Sequence, residues 1–538
     1  MNKGESYAAG PSEPPVRDIT IGEALAEAAG ECPDRVALVA GVADPAERRQ
    51  WTYGELYLQS RMVARALLIR FKPGDRVAVW APNIPEWVLV EYGCAMAGMV
   101  LVTVNPSYQP EELAYVLRQS RSAGIFLLPE FRGNRMLQHL EGIRDECPEL
   151  REVIRFDQWT DFIAAGEDEP VALPEVRPHD ACMIQYTSGT TGFPKGALLH
   201  HRGLVNNGAH VADRMGVPPG RAYVGYMPLF HTSGCVIVVL GALAGRSSLV
   251  LAEAYEPGLI LELVESYRAC TLGGVPTMLI GLIEHPDFPR RDLSSVIAIN
   301  SGGSTVPAAL VQRFEQELGA PFTIVFGQTE CSPVASMTRG SDTLEDKANT
   351  VGLPMPGVEV KIIDSETGET VPFNTLGEYC TRGYHLMHEY FEMPEASEKT
   401  IDEDGWLHTG DLCSMDERGY CKVEGRLKDM IIRGGENIYP REIEEVLFKH
   451  PSVGDVAVVG LPDERMGEEV GAFLRPAPGQ SIDREELFAY LREHISPQKT
   501  PRLWFQVEEY PLTGSGKIQK FVLRQQWVDG LHREMGIE

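Results

Sequence analysis

The sequence lacks an excess of positive charge. Its 49 lysine and arginine residues face 77 aspartate and glutamate residues, which gives a formal net charge of −28 at pH 7. A chain with this balance is repelled by the phosphate backbone of DNA or RNA and releases none of its counterions. We therefore expect no nucleic acid among the partners of this protein.

Paired cysteines are missing as well. None of the ten cysteines has the C-x-x-C spacing that is typical of zinc sites and thiol redox sites. Residues 1–17 contain no apolar segment of the kind that a secretory signal needs and read as a loose tail. Scattered reduced thiols and the missing signal both predict a cytoplasmic protein.

Long apolar runs are also missing. The most apolar window, residues 87–104, carries Glu91 and Tyr92. Another apolar run, residues 235–243, has about half the length that crosses a bilayer. The sequence therefore predicts no membrane span.

What is present is the composition of an ordinary globular protein. The chain has 538 residues, of which 43% are hydrophobic and 23% charged, enough for several compact units with packed cores. Short apolar runs, such as residues 77–80 and 99–104, alternate with amphipathic stretches, such as residues 110–120 and 257–267. This alternation predicts an α/β fold whose large N-terminal domain consists of layered βαβ-type sheets and helices.

The pattern changes after the basic segment 425–433. Helices and strands there suggest a small α+β domain, so we predict an N-terminal domain over residues 1–427 and a C-terminal domain over residues 428–538. The elements expected in the second domain are helices at 437–450 and 483–494 and strands at 453–459 and 503–507.

A glycine-rich loop, YTSGTTGFPKG at residues 186–196, is the most informative stretch. Hydroxyl groups and unhindered backbone N–H groups suit a polyphosphate, and Lys195 adds a positive charge. The loop is not a Walker A motif, because Pro194 precedes the lysine and Gly196 follows it. Taken alone, the stretch is equally compatible with a simple Gly/Thr connection between two strands.

Further motifs in the same order resemble the superfamily of adenylate-forming enzymes, which includes acyl-CoA synthetases, adenylation domains of peptide synthetases and firefly-type luciferases. The resemblance extends from about residue 21 to residue 524. The motifs that carry it, besides the loop, are MPLFHTSG (227–234), NSGGSTVP (300–307), VFGQTE (325–330), GWLHTGD (405–411), GRLKDMIIRGGENIYPREIEE (425–445) and PLTGSGKIQK (511–520).

The resemblance implies an ATP site, with Glu330 as ligand of Mg²⁺, Phe326 as the platform for adenine, and Asp411 and Arg426 at the ribose hydroxyls. One carboxylate with substrate phosphates is a normal way to hold Mg²⁺. The residues implied to bind ATP or AMP are Thr187, Ser188, Gly189, Thr190, Thr191, Gly192, Lys195, Gly302, Gly303, Ser304, Phe326, Gly327, Gln328, Thr329, Glu330, Asp411, Val423, Arg426 and Lys517.

Lys517 is implied to be the main catalytic residue, together with Glu330 and His231. A carboxylate is a poor electrophile, and its activation by ATP brings one anion against the α-phosphate of another. Fixed positive charge at the transition state is therefore the main catalytic requirement. Lys517 lies in TGSGKIQ, where the neighbouring glycines allow a loop to reach a substrate.

The resemblance also locates an acyl pocket, with His231 as an aromatic gate near the carboxylate. The segments concerned are uncharged and contain no acidic partner for a substrate ammonium group, so they favour a hydrophobic carboxylic acid over an amino acid. The residues expected to line this pocket are His231, Gly234, Cys235, Ser301, Gly302, Gly303, Cys331 and Val334.

In the family the small domain rotates between two half-reactions. The resemblance implies a hinge at Lys428 and a mobile C-terminal domain, whose rotation lets CoA enter. The residues expected along the path of CoA are Arg433, Gly434, Gly435 and Glu436. Glu389 in MHEYF is a departure, because the family usually has glycine there.

The leading hypothesis is an acid:CoA ligase of the medium- or long-chain fatty acyl-CoA synthetase type, with ATP, Mg²⁺ and CoA as cosubstrates and cofactor. The alternatives are an acyl-AMP ligase that loads an acyl carrier protein, a catalytically silent nucleotide-binding homologue and a luciferase-type oxygenase. A linear, an aryl or a bulky polycyclic acid would each suit an uncharged pocket, and the sequence gives no oligomeric state.

Overall fold

The computed structural model describes residues 4–168, 171–187, 194–304, 306–513 and 517–535. Contacts divide the chain into two compact units. The large unit comprises Ala9–Glu359 and Thr381–Leu407, and the small unit comprises Met1–Ala8, Val360–Cys380 and His408–Glu538.

The strands cover most of the segments in which β-branched and aromatic residues are concentrated. In chain order they are β1 (Tyr7–Ala9), β2 (Val36–Gly41), β3 (Gln50–Thr52), β4 (Arg76–Trp80), β5 (Val100–Val104), β6 (Gly124–Leu127), β7 (Glu152–Arg155), β8 (Ala181–Thr187), β9 (Lys195–His200), β10 (Ala222–Gly225), β11 (Ser248–Ala252), β12 (Thr271–Gly274), β13 (Ala298–Gly302), β14 (Phe322–Phe326), β15 (Ser336–Met337), β16 (Leu353–Pro354), β17 (Val358–Ile363), β18 (Gly377–Gly383), β19 (Glu389–Tyr390), β20 (Leu407–Met415), β21 (Cys421–Arg426), β22 (Ile431–Arg433), β23 (Glu436–Ile438), β24 (Val453–Asp463), β25 (Gly467–Pro476) and β26 (Leu503–Gln506).

Many helices begin at proline or after a capping threonine, both of which suit a first helical turn. The helices are α1 (Ile21–Glu31), α2 (Tyr53–Leu68), α3 (Pro85–Ala97), α4 (Pro110–Gln119), α5 (Met136–Ile143), α6 (Trp159–Asp168), α7 (His201–Arg214), α8 (Gly241–Ala244), α9 (Pro257–Tyr267), α10 (Pro276–Ile283), α11 (Ala308–Leu318), α12 (Leu344–Asn349), α13 (Pro394–Thr400), α14 (Pro440–Leu447), α15 (Arg484–His494) and α16 (Lys520–Val528). A π-helical segment, Ser233–Leu240, precedes α8.

Three sheets form the framework of the large unit. The first has the order β19-β9-β8-β5-β4-β6-β7, the second β10-β11-β2-β3 and the third β12-β13-β14-β15-β16. Strands β4 to β8 pair in parallel, as do β12, β13 and β14. The predicted α/β class with largely parallel sheets is therefore confirmed.

Helix α3 shows why the core of the large unit is extensive. All of its residues are buried, because apolar side chains surround the helix on every side and leave no solvated stripe. It packs against α1, α2 and β5. Within the described residues, no helix combines the length and the apolar character that crossing a bilayer requires.

Most residues of the sheet β1-β17-β18-β20-β21 belong to the small unit, which also contains a second sheet, β23-β22-β25-β24, with β26 beside β25. The predicted helix at 483–494 and strands at 453–459 and 503–507 correspond to α15, β24 and β26. The helix predicted at 437–450 is shorter, because Asn437 belongs to β23 and the helix begins at Pro440.

Two expectations on chain organisation differ from these contacts. Residues 1–17 are not a loose tail where they are described, since Ser6 is buried and its N–H donates to the carbonyl of Val371 at 2.8 Å. The small unit also includes residues ahead of the predicted boundary at 427/428. Contacts show which residues pack into one compact unit, but they do not show motion. The hinge at Lys428 therefore stays a prediction.

Candidate active site

The glycine-rich loop connects two antiparallel strands of the large unit. β8 ends at Thr187 and β9 begins at Lys195, and these two residues face each other in the register. The Oγ1 of Thr187 donates to the carbonyl of Lys195 at 3.4 Å. The predicted phosphate ligands Ser188, Gly189, Thr190, Thr191 and Gly192 lie outside the described residues, so only the two ends of the loop are located.

Tyr390 joins two of the predicted ATP residues. The Nζ of Lys195 lies 4.5 Å from the centre of the Tyr390 ring, a distance at which a cation and an aromatic ring attract. The phenol of Tyr390 donates to Oε1 of Glu330 at 2.5 Å. Burial and the negative charge of Glu330 raise the pKa of Tyr390, so the phenol keeps its proton and remains a donor.

Glu330 fits the role of a cation ligand. It lies in a short 3-10 turn after β14, and only 6% of its surface is exposed. The donor that holds it is a neutral phenol, so the negative charge of the carboxylate is not cancelled by this contact. One carboxylate with phosphate oxygens and water is the ligand set that Mg²⁺ prefers.

The predicted adenine residues lie at the carboxyl ends of two neighbouring parallel strands. Gly302 ends β13 and faces Val325 of β14, and this edge of a parallel sheet is where ligands of α/β proteins bind. A Cβ at position 302 would lie 2.3 Å from the carbonyl oxygen of Val325, so only glycine fits. Phe326 is the last residue of β14, and the other predicted residues here follow the same two strand ends: Gly303, Ser304, Gly327, Gln328 and Thr329.

His231 precedes the π-helical segment that carries Gly234 and Cys235. Its Nδ1 contacts the Oγ of Ser233 at 2.9 Å and accepts the backbone N–H of Ser233 at 3.2 Å. A π-helix is often found at functional sites. The motif MPLFHTSG predicts a site at this place but does not predict the π-helical geometry.

Four residues of the predicted acyl pocket, Cys235, Ser301, Cys331 and Val334, are buried and uncharged. Ser301 donates through Oγ to the carbonyl of Gly274 at 2.8 Å. The side-chain amide of Asn207 forms two hydrogen bonds with the backbone of Val334. Its Nδ2 donates to the carbonyl at 2.8 Å, and its Oδ1 accepts the N–H at 3.1 Å. Cys235 and Cys331 are both buried, and burial raises the pKa of Cys235. The ten cysteines are free thiols, and all but Cys32 are buried.

Asp411 and Arg426 form an ion pair inside the small unit. They face each other across the antiparallel strands β20 and β21, with Nε 2.7 Å from Oδ1. Val423 lies on β21 opposite Cys413. Burial raises the pKa of Asp411, and the charges of Arg426, Lys428 and Lys517 oppose this rise. The small unit therefore brings together a buried carboxylate and three of the predicted cationic residues.

Lys517 closes a short loop. Its N–H donates to Oγ1 of Thr513 at 3.0 Å, and the N–H of Thr513 donates back to the carbonyl of Lys517 at 2.7 Å. Residues 514–516, between them, lie outside the described residues. These two hydrogen bonds hold the backbone of Lys517 beside Thr513.

The residues predicted along the CoA path form a hairpin. Gly434 and Gly435 join β22 to β23 and both have positive φ, 60° and 88°, which is the conformation of a tight two-residue turn. Arg433 is buried and its Nε donates to Oε1 of Glu469 at 2.5 Å. Glu436 begins β23. The contact of Arg433 with a CoA phosphate stays a prediction, and it would have to compete with Glu469.

One group of polar side chains was not predicted from the motifs. It consists of the carboxylate of Glu378 and the thiol of Cys380 on β18 and the imidazole of His408 on β20. One carboxylate oxygen, the sulfur and one ring nitrogen of this group lie within 4.8 Å of one another. Contacts with Cys380 and Glu378 raise the pKa of His408 to about 10, so its imidazole is charged near neutral pH. The motif GWLHTGD contains His408, and this is the only signal that the sequence offers for the group.

Comparison with known proteins identifies the family. The model described as AMP-binding enzyme matches residues 25–391, and that described as AMP-binding enzyme C-terminal domain matches residues 442–517. The chain therefore belongs to the AMP-binding enzyme family. The motifs and the α/β fold described above agree with this membership.

Similar proteins extend over almost the whole chain. A protein of Bacillus subtilis (strain 168) that carries the name acyl-CoA synthetase YngI is 39% identical, over 95% of this chain and 97% of its own length. The medium-chain acyl-CoA ligase ACSF2, mitochondrial, of Rattus norvegicus is 38% identical, over 97% of this chain and 90% of its own length. The crystal structure of ATP-bound MatB from Rhodopseudomonas palustris has a TM-score of 0.86 at 27% identity, covering 95% of this chain and 99% of that chain.

Proposed function

We propose that this protein is an AMP-forming acid:CoA ligase that acts on a hydrophobic carboxylic acid. In the first step a carboxylate oxygen attacks the α-phosphorus of ATP, and the bond to the bridging oxygen of the β-phosphate breaks to release pyrophosphate. In the second step the sulfur of CoA attacks the acyl carbon, AMP leaves and the thiol proton passes to solvent. The products are an acyl-CoA, AMP and pyrophosphate.

The grouping of Asp411, Arg426, Lys428 and Lys517 within the small unit is the observation that supports this proposal most directly. A buried carboxylate suits the ribose hydroxyls because it only accepts hydrogen bonds. The cationic side chain of Lys517 suits the charge that builds between a carboxylate and an α-phosphate. Relatives named as acyl-CoA synthetase and acyl-CoA ligase over nearly the full length support the same reaction.

In the large unit, we assign Lys195 and the loop 187–192 to the β- and γ-phosphates and Glu330 to Mg²⁺. Bound Mg²⁺ would neutralise the negative charge of the phosphates as pyrophosphate leaves. Tyr390 would orient the carboxylate of Glu330 for this purpose, since its phenol donates to Oε1. The strand ends at Gly302 and Phe326 would hold the adenine.

The acyl residues favour a hydrophobic acid, and a medium-chain acid is our first candidate. Cys235, Cys331 and Val334 are buried and carry no charge, and one relative is named as a medium-chain acyl-CoA ligase. The charge of Glu91 in α3 influences Cys235, and burial raises the pKa of Glu91 well above the ordinary value. A neutral Glu91 offers no negative charge to an amino acid's ammonium group.

The test is a panel of acids assayed for pyrophosphate release with ATP and Mg²⁺, with and without CoA. We expect turnover with linear medium-chain acids and none with free α-amino acids of the same carbon number. Acyl-CoA should accumulate only when CoA is present. Equal activity with amino acids would contradict the proposed acid class, and pyrophosphate release without acyl-CoA would contradict the proposed acceptor.

An acyl carrier protein as acceptor is the second candidate, and it is tested by replacing CoA in the same assay. The cytoplasmic location expected from the sequence stays a prediction. One relative is named as mitochondrial, so cell fractionation with an antibody against this chain is the direct test.

A further inference from the structure

The backbone just before Asp411 departs from strand geometry. Gly410 lies within β20 but has φ of 69°, a left-handed conformation that suits glycine. The pairing of β20 with β21 begins at Asp411, one residue later. The N–H of Gly410 donates to a side chain, Oε1 of Glu378, at 2.9 Å.

Glu378 holds a second part of the same segment. Its Oε2 lies 3.0 Å from Nδ1 of His408, and the imidazole donates because a carboxylate oxygen only accepts. Both oxygens of one carboxylate thus bind residues 408 and 410. Only 8% of the Glu378 surface is exposed, and charge-assisted hydrogen bonds in such a position are the strong ones.

Thr409 completes the attachment of this segment to β18. Its Oγ1 donates to the carbonyl of Tyr379 at 2.7 Å and accepts the N–H of Asp411 at 3.1 Å. Residues 408, 409 and 410 are therefore all hydrogen-bonded to Glu378 or Tyr379 of β18. Thr409 is also hydrogen-bonded to the backbone N–H of Asp411.

We propose that Glu378 is a positioning residue for Asp411, acting through the backbone of residues 408–410. The inference rests on the proposed function, because it assumes that Asp411 binds the ribose hydroxyls of ATP. Glu378 itself touches no substrate in this proposal. A carboxylate that must meet a ribose hydroxyl at hydrogen-bond distance loses that bond when its backbone moves by about 1 Å, a shift that costs roughly a hundredfold in demanding cases.

The experiment compares the dissociation constants of ATP and 2′-deoxy-ATP by titration calorimetry. For the wild type we expect 2′-deoxy-ATP to bind at least about tenfold more weakly, because a hydroxyl bonded to a carboxylate is lost. In Asp411→Asn this ratio should fall towards one. In Glu378→Ala it should fall at least about threefold, and in Glu378→Gln by a smaller amount, since an amide oxygen accepts a weaker hydrogen bond.

Glu359→Gln is the matched control. Glu359 lies on β17 and its Oε2 accepts from Arg382 at 2.9 Å, so the variant removes the negative charge from an ion pair whose two partners lie outside residues 408–410. Its ratio should equal that of the wild type. The melting temperature of each variant reports folding, and Glu378→Gln provides the test if Glu378→Ala does not fold.

A folded Glu378 variant that keeps the wild-type ratio would overturn the positioning role while leaving the proposed function intact. A wild-type ratio near one would instead overturn the assignment of Asp411, and with it this inference. An equal fall in Glu359→Gln would also overturn it, because the effect would then follow from general loss of stability.

Discussion

At the scale of single residues, Tyr390 contacts two charged side chains that belong to different motifs. Lys195 ends the glycine-rich loop and Glu330 ends FGQTE, and Tyr390 contacts both. Neither motif contains Tyr390, whose own segment, MHEYF, departs from the family at Glu389. The departure does not disturb this contact, because Glu389 is exposed whereas Tyr390 is buried. A residue outside the motifs is therefore placed where it can orient a motif carboxylate.

Replacing Tyr390 with phenylalanine should weaken the response to Mg²⁺. The ring and its contact with Lys195 remain, but Oε1 of Glu330 loses its donor, and a lost hydrogen bond to a charged group costs about 1.5–3 kcal/mol. We expect the half-saturating Mg²⁺ concentration to rise by roughly three- to tenfold and the protein to lose about 2 kcal/mol of stability. Initial rates of pyrophosphate release against Mg²⁺ concentration and urea unfolding measure these two effects.

Tyr53→Phe is the control for this prediction. The phenol of Tyr53 donates to the carbonyl of Ser247 at 2.8 Å, so the variant loses the same hydroxyl against a neutral acceptor and outside the site motifs. It should lose about 1 kcal/mol and keep the wild-type Mg²⁺ curve. Identical Mg²⁺ curves for Tyr390→Phe and Tyr53→Phe would show that Tyr390 does not orient Glu330.

At the scale of elements, α3 carries an acidic residue into the core. Glu91 lies in the middle of this fully buried helix and is 1% exposed. Among the described residues, no donor lies within hydrogen-bond distance of either carboxylate oxygen. Burial raises the pKa of Glu91 well above its ordinary value, so the folded protein binds a proton there that the unfolded chain releases at neutral pH.

Glu91→Met should stabilise the protein at pH 7. A group whose pKa is raised in the folded state contributes its stability fully below the unfolded pKa, and that contribution is lost as the pH rises. Methionine has no such dependence, so its advantage should grow above about pH 4.5 by up to about 1.4 kcal/mol per pH unit until the folded pKa is reached. Urea unfolding at pH 5 and pH 7 measures the difference.

Glu86→Met on the same helix serves as the comparison. Glu86 pairs with Arg49 at 2.7 Å, so its removal should cost stability at both pH values. If Glu91→Met were less stable than the wild type at pH 7, a partner for the Glu91 carboxylate would have to exist and the interpretation of this residue as an unpaired acid would be wrong.

At the scale of the whole molecule, the resemblance predicts that the small domain rotates between the two half-reactions. Lys428 lies in a 3-10 turn, Leu427–Asp429, that joins β21 to β22. Few backbone torsions need to change in such a short connection. The hinge at Lys428 stays a prediction.

Lys428→Pro should separate the two half-reactions. Proline fixes φ near −65°, which lies in the range of a 3-10 turn, and therefore restricts rotation about this residue. In a single enzyme-limited turnover we expect pyrophosphate release to persist, acyl-AMP to accumulate and acyl-CoA formation to fall at least about tenfold. Quenched-flow chromatography of acyl-AMP and acyl-CoA measures this.

Lys428→Ala keeps the backbone free and should carry out both steps. Formation of acyl-CoA at the wild-type rate by Lys428→Pro would show that residue 428 is not the pivot. Loss of both steps with a normal melting temperature would also contradict the prediction, because the first step should not need the rotation.

The sequence by itself determined the class of the fold and the family. Apolar patterns and helix-starting prolines are local along the chain, so the amphipathic stretch 257–267 corresponds to α9 with the same bounds. Motifs are local too, and they indicated Lys195, Glu330 and Asp411 as site residues. The late start of α14 shows the limit, because the pairing of Asn437 in β23 depends on a partner strand.

Only the tertiary structure decided which residues support those motif residues. Tyr390 and Glu330 are 60 residues apart, and Glu378 and Gly410 are 32 apart. The burial of Glu91 likewise follows from helices and strands that surround α3 on every side. Contacts of this kind depend on how strands pair and helices pack, and no periodic pattern or short motif records that pairing along the chain.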